Sequence, residues 1–178
     1  MKYIFLIFSI FFTLTSNAQL PQSGEHLYHP NMDNFVGTWK WISGNDVFTF
    51  KLKKVHLYYP AHGYYDDMIM GSHCYIKNGI IIEDNLADFP SVGQNLKGSI
   101  YIWYHNSNNT PNNIYGQVKD PLNNKSERLY LEFLPAATPT LHWTLESLGG
   151  GNSYLIGTTP IKGIGWTLPA DIILVKQP

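Results

Sequence analysis

Cysteine, arginine and charge are all scarce in this 178-residue chain, and each scarcity excludes something. With the single cysteine, Cys74, no intramolecular disulfide is available, so the fold must stand on packing. Cys74 itself reads as a small buried hydrophobe rather than a nucleophile. Arg128 is the only arginine, and charged residues make up 14% of the chain against 15% aromatics. Beyond Lys51, Lys53 and Lys54 there is no basic stripe, which argues against a nucleic-acid partner. No apolar run reaches the roughly 20 residues that a membrane-spanning helix needs, so no membrane span is expected.

The one sustained apolar run is at the start. Lys2 supplies a short positive region, Ile4 to Leu14 an apolar segment too short to cross a bilayer, and Ser16 and Ala18 the small residues of a cleavage site before Gln19. Residues 1–18 are therefore expected to be a cleavable signal peptide, and the protein to work in the periplasm or outside the cell. No cysteine follows the cut, so a lipoprotein anchor is not expected. Removing Lys2 takes the 12 basic residues to 11 against 13 acidic, a formal charge of −2. The rest divides into an N-terminal extended segment, 19–33, and a single domain, 34–178, large enough for its own core.

Within that domain apolar residues recur with period two in short segments cut by Gly, Pro and Asn, which makes the chain all-β. Phe48, Phe50 and Leu52 alternate with Thr49, Lys51 and Lys53. After Lys54 the apolar set becomes Val55, Leu57 and Tyr59, a slip of phase that a β-bulge would produce. Met68–Lys77 and Ile80–Glu83 flank Asn78-Gly79, the residue pair of a type I′ hairpin turn. Strands are expected at Ile100–Tyr104 and Ile114–Lys119 around the polar run 105–113, then at 128–133 and 141–146 with Arg128, Tyr130, Glu132, His142, Thr144 and Glu146 on their polar sides. Gly149 to Gly151 opens a flexible stretch, and Ile172–Lys176 closes the domain. An antiparallel meander of about eight or nine strands needs closure or a second sheet to cover its edges, so a barrel is expected, with a β-sandwich as the alternative.

Asn34-Phe35-Val36-Gly37-Thr38-Trp39 resembles the G-x-W opening strand of lipocalins and the GTW opening of fatty-acid-binding proteins, together called calycins. The resemblance implies a lipocalin-like barrel with Trp39 closing one end and Trp41 on the same face. Arg128 is the only candidate for the arginine that stacks on the motif tryptophan in lipocalins. Ser43 to Asp46 turns straight into the next strand, leaving no room for the helical lid of fatty-acid-binding proteins. More widely, FVGTWKW at 35–41, PTLHWTLE at 139–146 and LPADIILVKQ at 168–177 resemble a family of small secreted Bacteroidetes proteins known as a domain of unknown function, which implies no activity.

Catalytic chemistry is thin. The seven histidines form no HExxH, no i, i+4 pair and no zinc spacing, so no metal is expected; His56, His62 and His73 would need a loop to bring them together. In Gly71-Ser72-His73-Cys74, Ser72 and Cys74 share one strand face and His73 takes the other, which is no nucleophile arrangement. Asp66 and Asp67 read as solvated turn residues without calcium-loop spacing. No catalytic residue and no cofactor is expected, and the protein is not read as an enzyme.

What stands out is the aromatic surplus, with Tyr58, Tyr59, Tyr64, Tyr65, Tyr101, Trp103, Tyr104 and Tyr115 gathered in and beside central strands, where rings suit either a binding wall or a β-core. The functional expectation is a secreted carrier of a small apolar or amphipathic ligand held by Trp39, Phe48, Phe50, Ile102, Leu131 and Trp143. The alternative is a structural or protein-interaction module with a filled core, whose partner is another exported protein. A hydrolase ranks last.

Overall fold

The computed structural model describes residues 21–92, 97–103, 112–120, 122, 125–146 and 167–178. The expected signal peptide, Tyr104, most of the polar run after it and Gly149 to Gly151 lie outside the described residues. Strands β2 (Gly37–Ser43) and β3 (Asp46–Tyr59) form the first hairpin, turning at Gly44 with φ 58°. β3 pairs along its whole length with β4 (Tyr64–Lys77), from Val47↔Ile76 to Tyr59↔Tyr64. The turn into β5 (Ile80–Asp84) has Asn78 at φ 52° and Gly79 at φ 78°, the two positive angles of the expected type I′ turn.

β6 (Ile100–Trp103), β7 (Asn113–Asp120), β8 (Lys125–Leu134), β9 (Thr140–Glu146) and β10 (Asp171–Lys176) continue as an antiparallel meander. Two long-range pairings close it. β10 returns to β2 with Val175↔Lys40 and Lys176↔Trp39, and β6 pairs with β4 from Met68↔Trp103 to Gly71↔Ile100. Strands β2, β3, β4 and β6 to β10 thus make a closed eight-stranded antiparallel barrel, consistent with the expected lipocalin-like architecture, and the sandwich alternative is set aside. β5 and the short parallel strand β1 (His26–Leu27) lie outside it, both attached to β4. One edge of β4 therefore serves three partners in turn: β1 at Tyr65–Asp66, β6 at Met68–Gly71 and β5 at Cys74–Lys77.

The barrel interior is one apolar cluster. Trp39, Phe48, Phe50, Ile102, Leu131 and Trp143 all belong to it, each at most 1% exposed, and Trp41 packs against it from the same face of β2 as Trp39. The Trp143 ring lies 5.0 Å from that of Phe48 and 5.3 Å from that of Phe50. Burial of such side chains stabilises the fold by about 1.5–3 kcal/mol each. The indole N–H groups are satisfied as well, Trp39 donating to Phe35 O at 2.8 Å and Trp143 to Pro169 O at 2.9 Å. A 3₁₀ turn, Pro30–Phe35, adds buried Met32 and Phe35 to the cluster, so the segment before β2 forms part of the core.

The expected bulge in β3 is not there, because its register with β4 runs unbroken from Val47 to Tyr59. The phase changes for a different reason. Phe48, Phe50 and Leu52 face the interior, whereas Val55 and Leu57 lie on the opposite face and pack with Met68, Met70, Val92, Phe89 and Tyr101. Phe89 belongs to a second 3₁₀ turn, Leu86–Ser91, that covers this outer cluster. The described bulge is elsewhere, between Tyr75 and Ile76 where β5 pairs.

Candidate functional site

Past Leu52 the interior-facing positions of β3 turn polar, to Lys54 and His56, and the opposing position on β4 is Asp67. The expectation of solvated turn carboxylates fails here, since Asp66 and Asp67 lie in β4 and the Asp67 side chain is 0% exposed. One oxygen, Oδ1, meets two imidazoles: His26 Nε2 at 2.7 Å and His56 Nδ1 at 2.6 Å. The other, Oδ2, accepts the His29 backbone N–H at 3.0 Å and has Lys54 Nζ at 3.5 Å. Burial pushes the Asp67 carboxyl up, but the His29 amide, His26, His56 and Lys54 outweigh it and hold it at about 2.

Around this carboxylate a second ring of partners is fixed. Lys54 pairs with Asp33 Oδ1 at 2.5 Å and sits 4.1 Å over the Tyr28 ring, while Tyr28 donates to Asp33 Oδ2 at 2.8 Å. Burial lowers Lys54, and Asp33 and Asp67 raise it further, so the ammonium stays charged. His29 Nε2 lies 2.8 Å from Asp66 Oδ1. The site thus joins β1, the Pro30–Phe35 turn and the β3–β4 hairpin at one end of the barrel. His62 stands apart, stacked on Tyr64 at 5.7 Å.

A second candidate lies on the outer face of β6 to β10. The registers align Trp103, Tyr115, Tyr130, Thr144 and Asp171 in one row across five strands. Trp103 is 38% and Tyr130 39% exposed, and the Tyr115 and Tyr130 rings are 6.3 Å apart. On one side of the row Arg128 reaches Glu146 Oε2 at 3.3 Å, and Tyr130 donates to the same oxygen at 2.9 Å. On the other side His142 lies 2.7 Å from Asp171 Oδ1 and 3.7 Å from Glu132 Oε2. Tyr115, Arg128, Tyr130, Glu132, His142 and Thr144 line a trough of about 670 Å³. Rings beside charges of both signs offer a flat apolar floor with hydrogen-bonding walls.

His73, expected opposite Ser72 and Cys74, does face the interior and is fully buried. Its Nδ1 lies 2.7 Å from Ser99 Oγ and its Nε2 3.2 Å from Glu83 Oε1. This Ser–His–Glu series has the members of a nucleophilic triad, but the Ser99 amide already donates to Gly71 O and gives no oxyanion donor. Cys74 is buried and free, with burial pushing its thiol up, as befits a packing residue.

The six expected ligand residues come together, but as mutual neighbours inside the barrel rather than as the lining of the outer trough, which only Leu131 also borders. Arg128 lies on the outer face with Glu146, while the cation over the Trp39 ring is Lys176, at 5.3 Å. Sequence reasoning puts Asp67 in a solvated turn and Tyr130 and His142 on polar strand faces, and gives none of them, nor His26, a site role. The signal for His56 and Asp67 was the β3–β4 turn, which, once Tyr59 is set opposite Tyr64, sets them face to face.

Comparison with curated proteins and with solved structures finds no match. A family model covers residues 1–177, nearly the whole sequence, and the chain belongs to the corresponding family of unknown function, DUF6705.

Proposed function

We propose that this protein is an exported binding module with a filled barrel, taking a small amphipathic, hydroxyl-bearing ligand of the sugar type in the outer trough. The observation that carries the reading is the aligned Trp103, Tyr115 and Tyr130 row beside Arg128, Glu132 and His142. A pyranose presents an apolar face of C–H groups and a rim of hydroxyls, which such a floor and such walls complement. The barrel wall of Trp39, Phe48, Phe50, Ile102, Leu131 and Trp143 supports the fold in this account, because those side chains already occupy one another's contacts. Export rests on the leader at 1–18, and mass spectrometry of the exported protein is expected to find Gln19 at its start; a mass retaining Met1 to Ala18 refutes it. Saturation-transfer NMR with mono- and oligosaccharides alongside fatty acids tests the ligand class. Saturable signals from the sugars support the reading, and signals from the fatty acids alone overturn it.

A further inference from the structure

We propose that His26, His56 and Asp67 form a binding site for a divalent transition-metal ion of the zinc type, independent of the outer trough. Three ligand atoms, His26 Nε2, His56 Nδ1 and Asp67 Oδ1, lie within 4.8 Å of one another. Two imidazoles and one carboxylate oxygen are a ligand set that Zn²⁺ accepts, at about 2.0–2.2 Å from each. In the metal-free arrangement both imidazole nitrogens crowd on the same oxygen, at 2.7 and 2.6 Å. Each contact needs a proton on the ring nitrogen, and a bound cation takes the place of that pair of protons.

Ligands around a tetrahedral zinc stand about 3.4 Å apart, so the rings must draw back slightly from Asp67. They have room to do so, since the His26 and His56 side chains are 38% and 56% exposed while Asp67 is held from behind. The His29 amide on Oδ2 fixes the carboxylate's orientation and leaves Oδ1 for the ion, the part that outer partners play around metal sites. Lys54 carries the ion's own sign of charge 3.5 Å from Asp67 Oδ2, and Asp33, paired with it through Oδ1, offsets that charge. With three protein ligands and an exposed outer side, the fourth position goes to water.

Isothermal titration of the EDTA-stripped protein with ZnCl₂ tests the site. One Zn²⁺ per chain is expected, with affinity reduced more than tenfold in His26→Ala and in His56→Ala and unchanged in His62→Ala. In the wild type, Zn²⁺ is expected to shift the imidazole proton resonances of His26 and His56 and leave those of His62 in place. Absence of saturable binding, a wild-type isotherm in the His26→Ala/His56→Ala double variant, or resonance shifts confined to other histidines would each overturn the proposal.

Discussion

Replacing Asp67 by Asn tests the energetics of the barrel's polar end. The carboxyl sits at about 2, well below the ordinary aspartate value of 3.8. At about 1.4 kcal/mol per unit this corresponds to roughly 2.5 kcal/mol of stability at neutral pH. The sign follows from proton binding: between about pH 2 and 4 the unfolded chain holds the proton that the native state refuses. The contribution is therefore complete above about pH 5, about half gone at pH 3 and lost as the pH falls through the folded value. Asn keeps an acceptor for the His29 amide but removes the charge that His26, His56 and Lys54 face. Urea unfolding in EDTA, followed by tryptophan fluorescence, is expected to show Asp67→Asn less stable by about 2–3 kcal/mol at pH 7, the gap holding to about pH 5 and shrinking to about half by pH 3. A gap below about 0.5 kcal/mol at pH 7, or one that does not change with pH, would refute the reasoning.

Two further substitutions probe the barrel. Trp39→Ala removes a fully buried ring and leaves Phe35 O without its donor, so a loss of about 3–5 kcal/mol is expected in the same unfolding assay; an unchanged midpoint would contradict the packing role. Gly116→Ala would drive a Cβ into Tyr101 O and to 2.7 Å from Ile102 Cα, where β6 and β7 pass closely. Alanine usually stabilises relative to glycine through the unfolded chain, yet here a loss of at least about 1–3 kcal/mol is expected, and a higher melting temperature would show that the strands are free to part.

Much of this fold was legible because each inward position of a strand is chosen by the core. Phe48, Phe50 and Leu52, the Trp39 and Trp41 pair, and Asn78-Gly79 carry their geometry in local sequence, and so do the outward residues Arg128, Tyr130, Glu132, His142 and Thr144. What local sequence does not carry is register between distant strands. Closure depends on β4 meeting β6 and β10 meeting β2, pairings with no signal in either segment alone. The same blindness hid both candidate sites: Tyr130 gains its meaning from Tyr115 beside it, and Asp67 from His26, 41 positions earlier. Val55 and Leu57 misled for a related reason, since an apolar outward face looks like a slipped strand until the covering turn at Leu86–Ser91 is known.

The most direct test of the proposed function is an NMR titration with a sugar that gives a saturable signal, read at the backbone amides and the indole N–H groups. Saturable shifts are expected at Tyr115, Arg128, Tyr130, Glu132 and His142, with the Trp39 and Trp143 indoles unmoved and the affinity falling at least about tenfold in Tyr130→Ala. Shifts centred on Trp39 and Trp143 would place the ligand inside the barrel and contradict the account.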